Sequence, residues 1–444
     1  MAQGHSLVQT PAQDISLINQ PSRLRTPMSE MENQTIGRSL PSPQWYQQLL
    51  GRLIGRRFDH LLDGITNGQL SLTWPDGHLS RHGNKSMDPS LNAQLTLHNY
   101  RPIRQMMLSG ENGFAESYLQ GDWSTDNLRN LFTLILNNEA EVAVMTTGSW
   151  YARFLNTIRH GRNRNSVRGS QRNIEFHYDL GNSFYQLWLD PTMSYSSAVF
   201  NGEESLEQAQ RVKLSKVVES LNPAPGARVL EIGCGWGAMA NQLATQAGCR
   251  VEGISLSQEQ LRYAREFNHV EGDEQIPGST EFRYQDYRAV QGQYEHIVSI
   301  EMFEAVGEQY WSTYFGKLSE LLEQGGTAVL QVITIDEDRF DEYRASPDFI
   351  QRYIFPGGML PTKTHLSQLV KAAGFELVEV DWFGPSYAQT LVHWRERFDQ
   401  VVSEVTSLGF DERFLRMWRY YLDYCETGFR VGRTDVGQLV LRKC

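Results

Sequence analysis

Residues Val229-Leu-Glu-Ile-Gly-Cys-Gly-Trp-Gly237 decide the fold. Val229 to Ile232 is a short apolar run of strand type that enters directly a turn holding Gly233, Gly235 and Gly237. Glycine permits positive φ there and lets backbone approach a ligand closely. Dinucleotide-binding loops read G-x-G-x-x-G. This one reads G-x-G-x-G, with Glu231 two residues ahead of the first glycine and no third glycine at the dinucleotide spacing. Upstream lies a helical pattern with Leu214, Val217, Val218 and Leu221 on one face, ending near Pro223. Strand-like runs at 228–232, 250–255, 296–300 and 327–334 alternate with helical ones, which predicts a doubly wound α/β sheet. Further runs at 376–383 and 438–442 predict an antiparallel pair at one edge.

The N-terminal half reads differently. Residues 1–43 mix polar residues and prolines without periodicity, which predicts a disordered extension. Residues 44–158 predict a small mixed domain: an amphipathic helix over 45–62, short strands over 68–99 broken at Pro75-Asp-Gly77, then helices from Arg101 to about Ile158. Residues 159–173 are an Arg-rich linker into the domain at 174–444. Arg153, Arg159, Arg162, Arg164, Arg168 and Arg172 occur without an acidic residue among them, a pattern that suits anionic headgroups and a solvated linker equally.

Composition bounds the function. The chain has 444 residues, 40% hydrophobic and 21% charged, enough for two cores. Its formal charge of -11 argues against a general polyanion binder, nucleic acid included. No run reaches membrane-spanning length and the first 40 residues lack a signal-type apolar run, so a cytoplasmic location is expected. Cys234, Cys249, Cys425 and Cys444 have no paired spacing, which supports neither a disulfide framework nor a metal site.

The glycine loop resembles motif I of the class I methyltransferases, whose turn receives the methionine part of S-adenosylmethionine. The resemblance implies a Rossmann-like doubly wound sheet. Additional segments narrow it: His177-Tyr-Asp-Leu-Gly-Asn182, Met193-Ser-Tyr-Ser196, Gln285-Asp-Tyr-Arg288, Met302-Phe-Glu304 with Val306-Gly307, and Tyr353-Ile-Phe-Pro-Gly357. In order and spacing these resemble the cyclopropane-fatty-acid-phospholipid synthases, from about Leu91 to the C-terminus, including Phe114-Ala-Glu-Ser-Tyr118. The resemblance implies cofactor contacts at Tyr195, Ser196, Glu231, Gly233, Cys234, Gly235, Gly237, Ser255, Leu256, Gln260, Asp286 and Tyr287. It also implies methyl transfer to an acyl double bond, with ring closure by loss of a proton to a bound bicarbonate. That anion's ligands fall on Glu304, the Ile333 backbone and Tyr387.

Two positions depart from the family pattern. Ser197 stands where its best-known members carry Cys, and Gln331 where they carry His. Both can hydrogen-bond an oxyanion, but neither reproduces the original charge or polarisability. A displaced base could instead take a proton from a chain carbon and leave a methyl-branched alkene. Cys425 falls where the family has a cysteine long regarded as its active-site residue, although alkene methylation needs no thiol nucleophile. Phe303, Tyr310, Tyr353 and Phe355 are candidates for the acyl pocket or the cation-facing surface.

Alternatives to the lipid enzyme are a methyltransferase for a soluble acceptor and an inactive lipid-binding protein. Retained Glu304 and Tyr387 speak against the second. With no membrane span, the expected enzyme sits peripherally on the inner face of the membrane, takes unsaturated phospholipid from its surface, and would gain avidity as a homodimer.

Overall fold

The computed structural model describes residues 55, 58–140, 180–202, 204–272 and 278–444. The central strand is β5 (Arg228–Ile232), and its Val229, Leu230 and Ile232 are buried. A parallel strand covered on both faces has to read as a continuous apolar run, which is why it was legible. Around it runs a seven-stranded sheet in the order β10-β11-β9-β8-β5-β6-β7. Its remaining members are β6 (Arg250–Ser255), β7 (Ser279–Tyr284), β8 (Tyr294–Ile300), β9 (Leu322–Ile335), β10 (Phe375–Trp382) and β11 (Thr434–Lys443). Strands β5 to β9 pair in parallel, whereas β11 is antiparallel to both β9 and β10. The expected edge pair is present.

Strand β7 was not anticipated. Only Thr280 and Phe282 of Ser-Thr-Glu-Phe-Arg-Tyr point inward, so this edge strand carries too few apolar residues to stand out.

The N-terminal part is a four-stranded sheet, β2-β1-β3-β4, of β1 (Gln69–Thr73), β2 (Leu79–Gly83), β3 (Asn92–Leu97) and β4 (Trp123–Ser124). The predicted break at Pro75-Asp-Gly77 is the β1–β2 turn, closed by Gly77 N–H donating to Trp74 O at 2.9 Å. Helices α1 (Arg101–Leu119) and α2 (Leu128–Asn137) cover the sheet. The helix expected over 45–62 lies mostly outside the described residues, but Phe58 and Leu62 at its end are buried in this core. The extension and the Arg-rich linker also lie outside them.

The described residues form one compact unit. The tie between small sheet and large one is a long C-terminal helix, α3 (Glu412–Arg430), capped by Asp411 accepting from Phe414 N–H at 2.8 Å. Its Tyr420 ring meets Phe132 at 4.9 Å and Tyr118 at 5.7 Å, and its Trp418 and Leu422 sit in the same core as Leu72 and Trp123. The domain boundaries expected at 158 and 173 fall outside the described residues.

Candidate active site

Strand order reverses between β5 and β8, and an open α/β sheet holds its ligand in the crevice at that point. The loop after β5 and the segment after β8 line one cavity of about 1030 Å³, at the upper end of the range for small-molecule sites. One arm of the cavity is bordered by Glu231, Gly233, Cys234 and Gly235 of the glycine loop, Ser255, Leu256 and Gln260 beyond β6, Tyr195 and Ser196, and Tyr287. Ser255 Oγ donates to Gln260 Oε1 at 3.0 Å and accepts from Ser257 N–H at 3.1 Å, which holds both side chains at the strand end. Trp236 Nε1 donates to Asn182 Oδ1 at 2.8 Å, joining the loop to the motif that precedes it; His177 lies outside the described residues.

Two expected contacts are not on this surface. Gly237 caps the following helix and packs outward against Phe282 and Ala264. The Asp286 carboxylate is taken by Arg288, with Oδ1 accepting at 2.8 Å and Oδ2 at 2.6 Å, so it shapes the turn that presents Tyr287.

Glu231 is 3% exposed, and burial pushes its carboxyl up to about 8. One of its oxygens, Oε2, is buried without a hydrogen-bond partner. Lys213, fully buried and donating from Nζ to Ser196 Oγ at 2.8 Å, faces the same region. An unpartnered carboxylate oxygen beside positive-φ glycines fits the cationic, amino-acid end of S-adenosylmethionine, whose ammonium would supply the missing donor.

Where the second carboxylate cluster lies, the sequence reading was incomplete. The Ile333 N–H, expected to hold the anion, donates instead to Glu304 Oε1 at 2.6 Å, while Glu304 Oε2 has no partner. Tyr387, however, donates its hydroxyl to Oε2 of Glu301 at 2.7 Å. Oε1 of Glu301 accepts from Ser197 N–H at 2.8 Å and from Gln331 Nε2 at 2.7 Å. Ser197 and Gln331 are themselves buried behind the cavity wall, and Ser197 Oγ turns away to Ala198 O at 2.9 Å. Donors expected to hold a free anion thus hold a side chain of this chain. A bicarbonate placed among them would displace that carboxylate and lie beside both it and Glu304, so the residues present do not fit it.

Burial raises the Glu304 carboxyl to about 8, helped by the charge of Glu301. Glu301 is raised by burial too, but three donors and Lys213 oppose that shift. Of the pair, Glu301 has the donors and the nearby cation that favour a charged carboxylate, whereas Glu304 has a single donor on one oxygen and none on the other.

Cys425 borders the cavity, but burial, with Asp348 adding to it, holds its thiol far above the usual range. A neutral thiol is a poor nucleophile. Cys425→Ser is expected to keep at least about a third of wild-type turnover, since a thiol-to-hydroxyl exchange of similar size leaves the packing in place; loss of all turnover in a folded variant would restore a chemical role. Among the aromatic candidates only Phe355 borders the cavity. Phe303 packs in the sheet core against Trp311, Tyr314 and Phe315, Tyr310 lies under Arg288, and the Tyr353 hydroxyl donates to Glu116.

Sheet order and glycine loop together are those of a class I S-adenosylmethionine-dependent methyltransferase. Comparison with known proteins narrows the class. The profile described as mycolic acid cyclopropane synthetase matches residues 165–439. The tuberculostearic acid methyltransferase of Mycobacterium tuberculosis is 38% identical over 74% of this chain and 78% of its own. The cyclopropane-fatty-acyl-phospholipid synthase of Escherichia coli is 34% identical over 82% of this chain and 91% of its own. Among solved structures, mycolic acid cyclopropane synthase CmaA1 complexed with SAH and CTAB superposes with a TM-score of 0.57 at 30% identity, covering 62% of this chain and 98% of that one. This chain belongs to the mycolic acid cyclopropane synthetase family and is an S-adenosylmethionine-dependent enzyme.

Proposed function

We propose that this enzyme transfers a methyl carbon from S-adenosylmethionine to the double bond of an unsaturated phospholipid acyl chain and forms a cyclopropane. The observation that carries the reading is the continuity of the cavity. From the glycine loop it extends past Glu301, Tyr387 and Phe355 to Leu70, Leu95, Leu131 and Phe132 inside the small domain, an apolar path suited to an alkyl chain. The names of the relatives, one acting on phospholipid acyl chains, agree with such a substrate.

When bound, S-adenosylmethionine supplies an electrophilic methyl on a sulfonium. The chain's own contribution is a dry enclosure with electron-rich faces. Tyr195 and Tyr421, whose hydroxyls are 2.9 Å apart, lie with Phe355 and Tyr387 on the wall and would stabilise positive charge developing on the acyl chain.

Among the described residues no helix is long and apolar enough to cross a membrane; in this reading the enzyme takes its substrate from the membrane surface. Met87, Met107 and Leu108 on the small domain are exposed and could enter the interface, assisted by the arginines upstream of residue 174 and by pairing of two copies on the cytoplasmic face. Replacing Arg162, Arg164 and Arg168 together by Ala should weaken binding to anionic vesicles by about a hundredfold, at about 1 kcal/mol per basic residue. Unchanged co-sedimentation would reject that docking site.

The function is tested by mass spectrometry and proton NMR of acyl chains after incubation with labelled S-adenosylmethionine and unsaturated phospholipid vesicles. Added carbon with cyclopropane protons is expected. Added carbon with a retained olefinic signal would mean a methyl-branched product, and transfer only to a small soluble acceptor would overturn the lipid reading.

A further inference from the structure

We propose that Glu301 is the built-in proton acceptor of the reaction, its carboxylate replacing the free bicarbonate that the resemblance implied. The inference rests on the lipid reading above and deepens it. Glu301 directly follows β8 at the strand-order reversal and borders the cavity within the stretch shared with Glu304 and Tyr387. Oε1 has two donors and Oε2 one, so Oε2 keeps an acceptor position free for a proton. Gln331 is itself oriented: Gln438 Nε2 donates to its Oε1 at 3.1 Å, which turns the amide nitrogen toward Glu301. The departure at 331 acquires an explanation, because a neutral amide there suits a carboxylate fixed in the chain; Ser197 adds its backbone N–H, which any residue at that place would supply.

Backbone geometry points the same way. Glu301 has φ +49, a conformation that glycine adopts without cost and other residues rarely enter. A strained, buried carboxylate persists where its side chain is needed at that point.

In the step assigned to it, the acyl π pair forms the new carbon–carbon bond to the methyl carbon while the carbon–sulfur bond breaks, its electrons staying on sulfur. The chain is left with a cation. A carbon–hydrogen bond of the transferred methyl then breaks, its pair closing the ring and its proton passing to Oε2 of Glu301, which later returns it to solvent. The balance is alkene and sulfonium to cyclopropane, thioether and one proton.

The test compares full-length wild type, Glu301→Gln and Glu301→Gly on unsaturated phospholipid vesicles, in buffer stripped of carbon dioxide and in buffer with added bicarbonate. Wild type is expected to turn over equally in both. Glu301→Gln should fall about a hundredfold in both, the usual effect of losing a general base. Glu301→Gly relaxes the backbone and vacates the anion site, so it should be about a hundredfold slow without bicarbonate and recover at least tenfold with it. Isotope-labelled bicarbonate should show bound broadening by NMR with Glu301→Gly and none with wild type. Wild-type turnover that collapses without bicarbonate, or full activity of Glu301→Gln, would overturn the proposal while leaving the lipid reading intact. Absence of acyl transfer by wild type in either buffer would overturn both.

Discussion

Glu231→Gln is expected to raise the thermal stability of the ligand-free enzyme and to weaken S-adenosylmethionine binding by tenfold or more. Glu231 is buried with one oxygen unpartnered, and its carboxyl is pushed from 4.5 up to about 8, by burial first, against the backbone N–H of Ala240 and the charge of Lys213. A raised folded value means that wild type and variant are matched below the unfolded value, near pH 4.5. As pH climbs from there to about 8 the unfolded chain ionises while the folded one resists, so wild type loses stability relative to the glutamine variant. Melting curves between these limits should show a gap that opens with pH. Binding should run the other way. Only the ionised form pairs with the ligand's cationic end, so wild-type affinity tightens toward pH 8, with release of protons, while the variant's stays flat. A tenfold difference corresponds to about 1.4 kcal/mol, modest for a buried charge pair. Equal calorimetric affinities at pH 8 would place Glu231 in the fold rather than in the cofactor site.

What was legible in the sequence follows from how local each signal is. Strand β5 was readable to the residue because burial on both faces selects apolar residues at most of its positions, β6 because Val251 and Ile254 follow a helix and a turn at the expected place, and the glycine loop because positive φ has few solutions. Glu301 was not. Its partners Ser197, Gln331 and Tyr387 come from three distant segments, and no local pattern marks the residue beside Met302-Phe-Glu304. Ser197 and Gln331 did register as departures, but the carboxylate that Gln331 and the Ser197 backbone hold sits next to a motif that looked complete. Lys213 left a readable trace: at helical spacing from Leu206, Ala209 and Val217, it interrupts a largely apolar face with a charge, which is rare unless the charge has partners. Phe303, Tyr310 and Tyr353 were misplaced for the opposite reason. Aromatic residues near a motif are common, and only packing tells a core face from a cavity wall.

Gly237→Val should cost about 3 kcal/mol or more of unfolding free energy, the combined result of overpacking and a β-branched residue at positive φ. Gly237 has φ +92, and a Cβ there would lie 2.9 Å from Phe282 Cζ and 3.0 Å from Ala264 Cβ. Phe282 belongs to β7 and Ala264 to the helix after β6, both rigidly packed, so neither can withdraw without disturbing that edge of the sheet. Gly235, two residues earlier, supplies the contrast. Its φ is +52, nothing lies within 4 Å of an added Cβ, and it borders the cavity. Gly235→Ala should therefore cost only about 1–2 kcal/mol for the left-handed backbone, while its methyl enters the space through which the loop meets the cofactor. Urea denaturation and calorimetric titration with S-adenosylmethionine separate the two: Gly237→Val loses stability first, Gly235→Ala loses affinity first. Wild-type stability for Gly237→Val would mean that the loop can re-form around a side chain there, and that the close packing of the glycine against β7 is not what holds this turn in shape.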